Sequence, residues 1–108
     1  MLGACAGARA PAAPQPDPHA EAKQAFGVRI GALRGLSVLD AMRSLGPPTG
    51  SAIGPSGALV LKWERGPAGP VHPRTHCTVT LVVVDEAVKE VIGGGNMMLC
   101  RSAFAPSA

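Results

Sequence analysis

The chain has 108 residues, 14 of them Gly and 11 Pro, and its 10 basic and 7 acidic side chains leave a net charge of +3. That length allows one small domain, and with two Phe, one Trp and no Tyr its core must be aliphatic. The basic residues, from Arg9 to Arg101, form no run and no stripe interleaved with aromatics, which excludes the footprint of a nucleic-acid binder. No apolar run reaches the ~18 residues of a membrane span; the densest, Val79 to Val84, has strand length.

The chain begins Leu2-Gly3-Ala4-Cys5 and continues through an Ala/Pro-rich stretch to Pro18. The four residues resemble a bacterial lipobox, in which small residues fit a signal peptidase and the Cys thiol receives the lipid. The stretch after it has no apolar periodicity to bury, and Pro keeps it extended, as a tether requires. Residues 1–19 are therefore expected to be a lipobox remnant and tether, with Cys5 lipidated and the chain anchored to a membrane. Because Met1 stands immediately before the motif, this reading requires a longer precursor with a signal peptide. The alternative is a plain disordered N-terminus with a free Cys5.

A domain over 20–102 is expected next. From Ala20 to Leu33 the apolar residues Ala22, Phe26, Ile30 and Leu33 recur at helical spacing. A second helix is predicted at Val38 to Leu45, with Ser37 as N-cap, Asp40 three residues on, Gly46 as C-terminal cap and Pro47-Pro48 forbidding continuation. After the breakers at Gly54, Pro55 and Gly57 the period changes. Leu59, Leu61 and Trp63 alternate with more polar neighbours as a first strand, and Cys77, Val79, Leu81 and Val83 share one face of a second. The breaker-rich segment Gly66 to Pro73 between them reads as a loop. Asp85-Glu86-Ala87 reads as the turn to a third strand, Val88 to Ile92, interrupted at Gly93-Gly94-Gly95-Asn96 by a bulge or kink before Met97 to Cys100. Residues 103–108 read as a disordered tail. The expected fold is α+β: two N-terminal helices packed on a three-stranded antiparallel sheet, ααβββ.

Lipobox-like Cys5, the Pro/Ala tether, the helix ending in Leu45-Gly46-Pro47-Pro48, Gly57 and the strand carrying Trp63 together resemble the SmpA/OmlA (BamE-type) domain of small bacterial envelope lipoproteins. The resemblance covers roughly residues 26–100 and implies an ααβββ domain tethered at the periplasmic face of the outer membrane. It further implies a role in outer-membrane assembly or maintenance through contacts with other envelope proteins, without catalysis. The Gly-rich third strand and the Cys pair depart from the best-known member of that family, a small accessory subunit of an envelope assembly machinery, so the resemblance implies the fold group rather than that complex.

Cys77 and Cys100 fall at the same open end of the expected hairpin. In an oxidising periplasm a bridge between them would close a loop worth roughly 3 kcal/mol and staple a core poor in aromatics. The alternative is two reduced, buried thiols in a cytoplasmic domain. Cys5 is then the odd cysteine, which a lipid accounts for.

Other chemistry is weaker. His72, His76 and Cys77 match no zinc-ligand spacing, and His76 and Cys77 point to opposite faces of a strand, so no metal site is expected and the histidines read as solvated loop residues. Val91 to Met97 resembles the glycine loop of nicotinamide-dependent reductases, but Met98 stands where the third glycine belongs, so no cofactor is expected. Ser37, Ser44, Ser51 and Ser56 have no nucleophile setting, and no small-molecule substrate is implied. The sequence thus points to a non-enzymatic envelope lipoprotein domain acting through protein–protein contacts. A small soluble binding or inhibitor domain with a disordered N-terminal tail is the alternative. No binding surface is legible from exposed aromatics or Arg clusters.

Overall fold

In the computed structural model, which describes residues 17–105, the chain is α+β, with three helices and a four-stranded antiparallel sheet. Helix α1 spans Pro18–Gly31 and α2 spans Val38–Leu45; strands β1 to β4 span Gly50–Ile53, Leu59–Arg65, Cys77–Val84 and Ala87–Gly95; α3 spans Met97–Ala103. The strands form a simple meander, in the order β1-β2-β3-β4.

Both expected helices form, for the expected reasons, although α1 starts at Pro18, inside the stretch expected to be tether, because Asp17 caps it by accepting the His19 amide. Ala22, Phe26 and Ile30 are the buried face of α1, with Leu33 buried just beyond its end. The Asp40 amide donates to Ser37 Oγ at 3.1 Å, and Gly46, at φ 85°, closes α2 in a conformation that only glycine adopts cheaply. The Asp40 carboxylate does not complete a capping box; it bonds Arg43 instead. Leu61 and Trp63 on β2, and Cys77, Val79, Leu81 and Val83 on β3, are buried as the period-two alternation requires.

Three expectations are corrected. The sheet has four strands, because Gly50–Ile53 pairs antiparallel with Leu59–Lys62 through a hairpin closed by the Gly54 amide on the Ala58 carbonyl. Of Gly-Ser-Ala-Ile only Ile53 favours a strand by itself; the closed turn and an existing edge to pair with create it. Next, the glycine run does not bulge. β4 continues through it in register, Val79 opposite Gly93 and Cys77 opposite Gly95, and the register shift lies near the turn, between Val82 and Val83. Lastly, Met97 to Cys100 is not strand but the first turn of α3, capped by Asn96, whose Oδ1 accepts the Leu99 amide at 3.1 Å. That helix runs to Ala103 and buries Phe104, so the folded body continues past residue 102.

The glycines explain why the helices lie so close to the sheet. A Cβ on Gly93 would stand 2.6 Å from Ile30 Cδ1 and 2.7 Å from Phe26 Cε2, so the missing side chain is the space into which α1 packs. Gly95 has φ 112° and abuts the His76 carbonyl, which no side chain would tolerate. From there the chain turns back, and α3 carries Cys100 over Cys77. The two are disulfide-bonded, with Cα atoms 5.1 Å apart and both side chains fully buried.

Three side chains hold the C-terminal end of α2 by its free carbonyls. Arg29 donates to the Ser44 carbonyl and hydroxyl, Arg65 to the Leu45 carbonyl, and Trp63 Nε1 to the Gly46 carbonyl at 3.0 Å. Arg29 also reaches the Phe104 carbonyl at 2.9 Å, and Arg65 lies over the Phe104 ring, 5.2 Å from its centroid. The resemblance-bearing residues Gly46 and Trp63 are thus physically joined.

Candidate binding groove

The segment joining α1 to α2 acts as a short cover for the outer edge of β4. The Gly35 amide donates to the Val88 carbonyl, the Val88 amide to the Leu36 carbonyl, and the Val38 amide to the Glu86 carbonyl, each within 2.9 Å. These bonds seat the first residue of α2 against the β3–β4 turn. That turn is a two-residue one, with Asp85 and Glu86 both at positive φ (51° and 66°), the form that suits the twist of antiparallel strands.

Across from it the β1–β2 hairpin is held at Gly54 and Ala58, and between the two turns α2 leaves part of the sheet uncovered. The result is a groove of about 580 Å³ lined by Val38 of α2, by Ser56 to Leu59 of the hairpin and by Val83 to Glu86 at the end of β3. Its walls are mostly apolar, and Asp85 and Glu86 form an acidic rim. Among the described residues neither carboxylate is in an ion pair; the two pairs present are Arg43 with Asp40 and Lys62 with Glu64. Ile53, directly across from Leu59 and 70% exposed, extends the apolar surface beyond the rim. A volume of this size with apolar walls and a few fixed polar groups is what a binding cleft offers.

The residues singled out from sequence fall elsewhere. Cys5 lies outside the described residues. Cys77 and Cys100 are joined, as expected, although Cys100 arrives on a helix rather than at the end of a strand. His76 is not in solvent: it is buried, its Nε2 lies 2.9 Å from the Pro67 carbonyl, and its Nδ1 accepts the His72 amide at 3.0 Å. It is the internal post around which the loop after β2 is wound, which is how that polar segment finds structure that its own sequence does not supply. His72 is exposed, and its Nδ1 accepts the Arg74 amide. Ser37 serves as a cap.

None of the groove residues stood out in sequence as functional. The one available signal was the turn itself: Asp-Glu where Asn-Gly would form the same turn at lower cost. No helix among the described residues is long and apolar enough to cross a membrane. No family model matches the chain, and no curated protein or solved structure is detectably similar to it.

Proposed function

We propose that this is a non-enzymatic domain of the bacterial cell envelope, held at the membrane through Cys5 and working by contact with other envelope proteins. The observation that carries the reading is the preformed apolar groove with its unpaired acidic rim, a surface suited to capture rather than to bond-making. Among the described residues, Cys77 and Cys100 are engaged in the bridge and both ring nitrogens of His76 in holding a loop. The core disulfide supports an oxidising compartment. Two helices before an antiparallel meander, with Trp63 bonded to Gly46 at the end of the second helix, support kinship with the SmpA/OmlA group. A role in outer-membrane assembly or maintenance is the part of this proposal that rests on that kinship.

The test is a scan of photo-crosslinking residues over the surface of the full-length protein in its native cells, with fractionation alongside. The expected result is a discrete protein adduct and a membrane-bound protein that Cys5→Ser releases. Adducts from no position, or cytoplasmic protein with both Cys77 and Cys100 as free thiols, would overturn the proposal.

A further inference from the structure

Resting on that contact role, we infer that the groove between α2 and the two hairpin turns docks a segment of a partner protein in which an apolar side chain sits beside a lysine or arginine. The floor selects the apolar group: Val38, Leu59 and Val83 line it, and Val84, 40% exposed in the next position of β3, lies at its edge. Burial of those walls against a hydrocarbon side chain supplies the non-directional part of the affinity.

The rim selects the cation. Asp85 and Glu86 are consecutive carboxylates fixed in one tight turn, without a partner among the described residues, in a chain whose net charge is +3. Two like charges held so close repel, and a neighbouring cation relieves the repulsion as the site dries. The same pair repels lipid headgroups and phosphates of negative charge, which leaves a cationic peptide segment as the occupant. The walls are also held apart before anything binds, by the Val38 amide on the Glu86 carbonyl and the Gly54 amide on the Ala58 carbonyl. Little ordering is then left for the binding step, which favours even a short segment.

The experiment titrates the oxidised full-length protein, isotope-labelled for amide NMR, with a short fluorescent peptide alternating leucine and lysine. A counterpart with glutamate for lysine is the control. The lysine peptide should shift the amides of Val38, Leu59, Val84, Asp85 and Glu86, and the glutamate peptide should bind at least ~10-fold more weakly. The double variant Asp85→Asn, Glu86→Gln keeps the turn and removes only the charge; it should lose affinity about 10-fold with no fall in its thermal midpoint. Filling the groove with Ser56→Trp should abolish the shifts.

Equal affinity for the two peptides would overturn the inference, as would shifts confined to the opposite sheet face around Val82 and Ile92. So would groove shifts that grow with protein concentration in the absence of peptide, which would make a second copy the occupant. In the crosslinking scan, adducts from other surfaces but none from probes at Ser56 or Val84 would overturn the groove assignment and leave the contact role standing. Adducts from nowhere would remove the role itself.

Discussion

At one end of the sheet Arg65, Cys77 and Gly95 lie in a row across β2, β3 and β4; at the other, Leu59, Val83 and Val88 do the same. The first row is sealed. α3 folds back over it, the disulfide ties it, and Arg65 closes it under the Phe104 ring. In the second, Val83 and Val88 are buried but Leu59 is half-exposed, with Ile53 beyond it facing solvent. The strands are the same and so is the alternation of their side chains. What differs is whether a helix arrives with polar groups that can satisfy the sheet end, and only the closed end has an arginine, a tryptophan and a bridge to receive one. Stability is thereby concentrated at one end, and the other is left free to take a partner.

If that division is real, substitutions at the closed end should be costly and those at the open end nearly free. Trp63→Ala removes a fully buried ring and the bond to the Gly46 carbonyl, and should cost about 4 kcal/mol in chemical denaturation. Replacing both Cys77 and Cys100 by Ala should cost about 3 kcal/mol, with the midpoint of the wild type falling to match when reductant is added. Gly93→Ala drives a methyl into Phe26 and Ile30. It should cost about 2 kcal/mol and loosen α1, read as faster amide exchange between Ala22 and Ile30.

At the open end the sign reverses. Glu86→Gly relieves a left-handed residue that carries a side chain and should raise stability by about 1 kcal/mol, while weakening capture of a cationic segment. Ile53→Ser changes an exposed side chain and should leave the unfolding free energy within about 0.5 kcal/mol of wild type. A loss of several kcal/mol from Ile53→Ser would break the comparison, because it would mean that the corner is core.

Most of the closed end could be read from sequence, since its determinants are local or paired in kind. Ser37, Gly46 and Pro47-Pro48 bound α2 to the residue, the alternation through Leu61, Trp63, Val79 and Leu81 gave the buried faces, and Cys77 and Cys100 fell at the same end of a hairpin. The misread segment, Met97 to Cys100, is a short apolar run, and such runs fit strand and helix alike. Asn96 as a cap and Arg101 in the last turn were signals for helix, outweighed by the strand just before them. His76 was misplaced for a related reason: a polar residue in a polar loop reads as exposed unless its partners, here carbonyl and amide groups at Pro67 and His72, are known.

By itself, then, the sequence determined the two N-terminal helices and the two central strands, each through caps or period that lie within a few residues; it brought Cys77 and Cys100 to one end of a hairpin and left the bridged and reduced forms both open, and the structure shows the bridge. Only the tertiary structure decided that Gly93 makes room for a helix some 60 residues earlier in the chain, that Gly50–Ile53 becomes a strand, and that a groove opens between two turns. Those outcomes depend on which surfaces meet. Gly93 carries no side chain from which to read the approach of Phe26 and Ile30, and a groove is a place that no residue fills.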